Sequence, residues 1–329
     1  MKKTGFFAEK VICSGILFLL AGAAAPGAGE QFIEHLVKKG ETISLICIDY
    51  YGDFKAEYCT IVLSDNPLIK DANMIFPNQK LRLRNPDYKQ EKTETAGPVI
   101  EKKILATQGV VTYVEGDVVI TPKAGNHKQK LVSNTIVNPG DMVQTMKNGR
   151  VEIIINRETV VRMRENTRLT LENFRDNQNN TGKTSVGFSL GAVWTKMKKF
   201  KDKISRFELE LPTAIAGVHG TVYEASVGKD TSAEVKVYDG EVAVSGAPPK
   251  GKDAAAAGAA EEVRGPDEVA GPDEVSLEQW VQIVHEMQKI RIDKKGKPQA
   301  LESFKKDGSD SWERWNEERD QRISEIFSE

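Results

Sequence analysis

Four short stretches hold residue types that do chemistry in other settings. "LPTAIAGVHGTVYEA" (Leu211–Ala225) sets His219 between Gly217 and Gly220, where an imidazole could move a proton. "GFSLG" (Gly187–Gly191) has the spacing of a nucleophile elbow around Ser189. "NTGKTS" contains the Gly-Lys-Thr of a phosphate loop, and "VHEMQK" begins like a zinc helix. Each lacks a required companion. Val186, Phe188 and Leu190 alternate as one face of a strand, whereas the elbow needs strand, turn and helix. Asn177 stands where the first phosphate-loop glycine belongs, and Lys289 where the second zinc histidine belongs. No cysteine follows Cys59, and His127, His219 and His285 are far apart. We therefore expect no catalytic residue, no metal site and no cofactor. Paired carboxylates of a glycosidase are the one chemistry that spacing alone leaves open, and no domain-sized segment remains to house them.

The elements around these stretches are mostly strands. Residues 104–245 read as ten to twelve short strands with glycine turns and no long helix, so an all-β sandwich, barrel or irregular β-solenoid is expected. Asn148-Gly149, followed by Val151, Ile153 and Ile155, predicts a hairpin, and Asp239-Gly240 predicts another. Within the histidine stretch, Thr221, Tyr223, Ala225 and Val227 share one face of a strand after a sharp turn.

Residues 30–85 differ. A strand leads to Thr42, which caps a helix bearing Ile43, Ile46 and Tyr50. A second helix stops before Pro67, and "NQKLRLR" closes as a strand. From Ser276 the chain reads as helical. Leu277, Val281, Val284 and Met287 or Gln288 form one stripe, and Trp312, Trp315, Arg319, Ile323 and Ile326 another, the second opened by an Asp310–Glu313 capping box. The whole is multidomain: a small α+β (βααβ) module, an all-β domain and a helical tail at 276–329. Residues 86–103 and 246–275 are linkers, the latter holding the tandem "GPDEVA", "GPDEVS".

The first 29 residues carry Lys2, Lys3 and Lys10 ahead of an uncharged apolar run ending in small residues. This is the pattern of a secretory signal, with an uncleaved anchor as the rival reading. Export to periplasm or cell envelope is expected, and a membrane contact only through that segment if it is retained. Cleavage takes the formal net charge from −2 to about −4. The basic stretch Lys196–Arg206 reads as a β-edge guarded by lysines, and nucleic acid is not an expected partner. From Asp310 to Glu329 seven acidic residues face three basic ones, so anionic lipid would repel the last helix and its tryptophans should pack on protein. Cys47 and Cys59 are either a disulfide or two small buried hydrophobes; their spacing does not decide.

Two families are resembled. "HLVKKGETISLICIDYYGD" with "LSDNPLIKDANMIFPNQKLRL" resembles a LysM domain, including its turn at Gly40-Glu41-Thr42-Ile43, with Asn78 in place of the family's usual glycine. The resemblance implies a shallow site for peptidoglycan or a related N-acetylglucosamine-containing glycan. It would be lined by Gly40, Glu41, Thr42 and Ile43 on one loop and by Met74, Ile75, Phe76 and Pro77 on the other. "GDMVQTMKNGRVEIIINRETVVRMRENTRLTLENF" and "RFELELPTAIAGVHGTVYEASV" resemble a FecR domain, with His219 where that family carries arginine. Together they imply a non-enzymatic envelope protein that holds glycan and presents the β-domain to an unidentified envelope protein. A sensor or regulator of envelope signalling is the second reading, and a wall hydrolase with an unrecognised carboxylate pair the third.

Overall fold

The computed structural model describes residues 31–86, 108–125, 127–156, 158–174, 183–199, 206–247 and 280–327. The signal-like segment and most of both linkers lie outside them.

The N-terminal module has the expected βααβ order: β1 (Phe32–Leu36), α1 (Ile43–Tyr51), α2 (Ala56–Asp65) and β2 (Lys80–Arg84). β1 and β2 run antiparallel, from Phe32 opposite Arg84 to Leu36 opposite Lys80. Thr42 caps α1, its hydroxyl accepting from the Leu45 amide at 3.3 Å, and Gly52 ends the helix in the left-handed region. Asn78 takes φ +67°, the conformation its place in the turn asks for. α1 is buried on more than one face: Ile43, Leu45, Ile46, Cys47 and Ile48 are all in the core. A helix apolar nearly all round must be covered on both sides, and the β-domain supplies the second cover. Val110, Ile154 and Val160 of that domain, with Ile323 of the last helix, join the same apolar cluster.

The β-domain opens with β3 (Gly109–Glu115), β4 (Val118–Thr121), β5 (Gln129–Lys130), β6 (Ile136–Val137) and β7 (Met142–Thr145). β8 (Arg150–Ile155), β9 (Thr159–Met163), β10 (Arg168–Asn173), β11 (Lys183–Met197) and β12 (Arg206–Glu210) follow. Then come β13 (Ala214–Val218), β14 (Val222–Val227), β15 (Ala233–Asp239) and β16 (Glu241–Gly246). β17 (Val281–His285), β18 (Gln288–Ile292), β19 (Glu302–Ser303) and α3 (Ser311–Phe327) complete the chain.

These strands form one curled sheet folded into two layers. One layer runs β6, β3, β8, β9, β11, β14, β15, β18, β19. The other runs β5, β4, β7, β10, β11, β12, β13, β16, β17. All pairs are antiparallel except β11 with β12. β11 belongs to both layers, pairing through its first half in one and its second half in the other. Val111, Ile153, Val193, Tyr223 and Val235 of the first layer meet Val143, Leu169, Phe188, Leu209 and Val244 of the second in a single core.

Three expectations are corrected. The Asn148-Gly149 and Asp239-Gly240 turns are not hairpins. β7 and β8 lie in different layers, as do β15 and β16, so each turn is a corner between layers. The corners stack. Gly116, at φ +67°, has no room for a side chain, because a Cβ there would lie 2.1 Å from the Asn148 carbonyl oxygen. From Trp280 on, where the described residues resume, the expected helix over Leu277–Gln288 is instead β17 and β18, which extend the two layers beside β16 and β15 and bury Val284, Ile290 and Ile292. Open strand edges at β15 and β16 outweigh an i, i+4 stripe. Among the described residues only α3 remains of the helical tail. Lys196 is not on an edge, since β11 is paired there with both β9 and β14.

Candidate functional site

The predicted glycan-facing loops sit in two settings. On the second loop Met74 and Phe76 are 58% and 59% exposed, Pro77 is exposed and Ile75 half-buried. On the first loop Gly40 is exposed and Thr42 half-buried, but Ile43 lies in the core and Glu41 is enclosed by charge. Glu41 accepts from His35 Nε2 at 2.8 Å and from the Lys38 amide at 2.7 Å, and it pairs with Arg322 of α3. Burial would raise the Glu41 carboxyl, but His35, the Lys38 amide and Arg322 outweigh it and hold it below the usual range.

The β-domain completes the enclosure. Thr42 Oγ1 donates to the Thr112 carbonyl at 2.9 Å and Ser44 Oγ to the Val111 carbonyl at 3.2 Å. Asn134, between β5 and β6, reaches both loop regions. Its Oδ1 accepts from the Ser44 amide at 2.6 Å, and its Nδ2 donates to the Ala72 carbonyl at 3.2 Å and to Asn73 Oδ1 at 3.0 Å.

Beneath this contact lies a buried ionic cluster. Tyr113, Glu152, Arg162, Trp194, Glu224 and Lys236 stand opposite one another across successive strands, forming a transverse row. α3 lies over it. Arg162 binds Glu152 at 2.7 Å and Asp320 at 2.6 Å, Arg319 binds Glu152 at 2.6 Å, and Trp194 Nε1 donates to Asp320 at 3.1 Å. Thr112 Oγ1 donates to Glu152 at 2.7 Å. Glu152 and Arg162 are fully buried. Burial alone would raise the Glu152 carboxyl, yet Arg319 and Arg162 hold it well below the ordinary carboxylate range. Two acids and two bases balance in formal charge, as a buried group of this kind requires.

The tryptophans of α3 pack on protein, as expected. Trp312 is 1% exposed and stacks on Trp315 at 5.3 Å, and Trp315 meets Tyr113 at 5.5 Å. Asp310 Oδ1 accepts from the Trp312 amide, while Glu313 reaches back to the Asp307 amide rather than to Asp310. The side chain of Ile326 lies outside the described residues.

The other singled-out residues are dispersed. His219 sits exposed at the turn between β13 and β14, and Thr221, Tyr223, Ala225 and Val227 share the buried face that follows. Ser189 is exposed in the middle of β11 with no turn beside it. Lys183 of the phosphate-loop fragment pairs with Glu208 at 2.6 Å. His285 closes β17, 3.6 Å from Glu241. Cys47 and Cys59 are both free thiols. Burial pushes the Cys47 thiol up, and that of Cys59 up to about 11. Among the described residues no cluster of His, Cys, Asp or Glu could hold a metal ion, and no helix is long and apolar enough to cross a membrane.

Sequence reasoning missed Glu152, Arg162 and Asn134. The signal for the first two was a lone charge inside each apolar strand run, "VEIIIN" and "TVVRM".

No curated protein matches the chain. Two crystal structures of a protein assigned as an anti-sigma factor from Parabacteroides distasonis are similar, at 13% identity. Their TM-scores are 0.34 and 0.33, and the match covers 49% of this chain and 59% of that one. The chain thus spans less than two thirds of that relative. Residues 141–243, from the turn before β7 into β16, match the family described as FecR protein, and this stretch of the two-layered domain is a FecR domain.

Proposed function

We propose that the chain is a non-enzymatic regulator in envelope signalling, exported and acting through a protein partner of its FecR domain. The FecR match over residues 141–243 carries this reading. The geometry supports it in one respect: the N-terminal module and α3 are both docked on that domain through named polar contacts, so an event at the module can reach the domain. The test is transcript profiling of a deletion strain and of the same strain complemented with the full chain. A sigma-factor-dependent gene set should change on deletion and return on complementation. An unchanged transcriptome sinks the regulator.

A second reading, glycan binding by the N-terminal module, is favoured by the exposed Met74 and Phe76 beside Pro77. An apolar pair of this kind suits sugar faces and acetamido methyls. The full chain should sediment with insoluble peptidoglycan, and Met74→Ala with Phe76→Ala should leave it in the supernatant. Sedimentation of the double variant alongside the unaltered chain removes the reading.

A further inference from the structure

The polar groups at the start of α1 are already engaged. Thr42 caps the helix, so the Ser44 amide is among the first-turn donors that have no acceptor within the helix. In this chain that donor is taken by Asn134, a residue of the β-domain ninety positions away. The same carboxamide spans to the other loop region, where the Ala72 carbonyl and Asn73 Oδ1 accept from its nitrogen. Only one orientation of the amide fits, oxygen toward the Ser44 N–H and nitrogen toward the two oxygens. One carbonyl oxygen and one N–H, held between a backbone donor and a backbone acceptor, are also what an N-acetyl group presents.

We propose that the groove of the N-terminal module is self-occupied, with the Asn134 carboxamide standing where the acetamido group of an N-acetylglucosamine-containing glycan would bind. The β-domain is then an autoinhibitory ligand of its own module. The contacts of Thr42 and Ser44 with β3, and of Arg319 with the Gly40 carbonyl and Arg322 with Glu41, hold the closed arrangement. Glycan and the Asn134 carboxamide compete for the same donor and acceptors, and binding requires that side chain to withdraw. This rests on the glycan-binding reading and gives it a regulatory consequence, because ligand capture would displace a contact between the module and the FecR-containing domain.

A site closed by its own chain binds with an affinity reduced by the fraction of time it is open. Asn134 has φ +65°, so Asn134→Gly removes the carboxamide and keeps the backbone at ease. The full-length protein, the Asn134→Gly variant, and that variant combined with Arg319→Ala and Arg322→Ala are titrated calorimetrically with chitopentaose. Cellopentaose, which lacks acetamido groups, is the control. Asn134→Asp is the second single variant, retaining size and losing the donor to Ala72. Binding of chitopentaose about tenfold or more tighter by the Asn134 variants than by the unaltered chain supports self-occupancy, provided cellopentaose shows no such gain. Equal chitopentaose affinity overturns it while leaving glycan binding intact. No binding by any form, including the triple variant with its fold checked by circular dichroism, overturns both.

Discussion

Glu152 concentrates the electrostatics of the molecule on one carboxylate. With Arg162 and Arg319 both bound to it, Glu152→Ala leaves Arg319 without its carboxylate and Arg162 with Asp320 alone, an excess positive charge beneath α3 that should cost about 3–5 kcal/mol in urea unfolding. Its lowered pKa gives a pH sign. The folded protein binds this proton less readily than the unfolded chain, so the stabilisation is complete above the unfolded carboxylate range. It is lost as pH falls below about 4 and on through the folded value. Thermal midpoints should therefore fall on acidification, and more shallowly in Glu152→Gln. Glu152 was legible as an anomaly but not as a site. The alternation of Val151, Ile153 and Ile155 puts it on the outer face of its strand, where a carboxylate ordinarily meets water. It is buried because Arg319, 167 positions later, arrives above it. No local pattern encodes that arrival.

Among the elements, the turns were easier to locate than to interpret. Asn148 does adopt a left-handed conformation, as an Asn-Gly pair suggests, but the next strand pairs in the other layer. Turn chemistry is local, whereas the choice of neighbouring strand is settled by open edges far away in the chain. The same cause made β17 and β18 unreadable. The βααβ module was legible because its caps, its helical spacing and its closing strand are all short-range. Gly116→Ala sets a methyl against the stacked corner and should destabilise by more than about 1 kcal/mol in chemical denaturation. Asp310→Ala removes the side-chain cap of α3 and should cost about 1 kcal/mol, read in the same experiment.

Across the whole molecule, the modules share apolar core as well as charge. Ile43, Leu45 and Tyr51 of the N-terminal module lie in one cluster with Val110, Ile154 and Val160 of the β-domain and Ile323 of α3. Calorimetry should therefore show the described residues melting in one cooperative transition, and Arg319→Ala with Arg322→Ala should bring a separate, earlier loss of the N-terminal module. Two independent transitions in the unaltered chain would contradict this coupling.

β11 has a mechanical meaning. A strand fifteen residues long, hydrogen-bonded on both sides in one layer and then on both sides in the other, acts as a rivet through the sandwich. The layers cannot shear past each other without breaking its ladders in both. A pull on the protein would thus be shared across the whole sandwich.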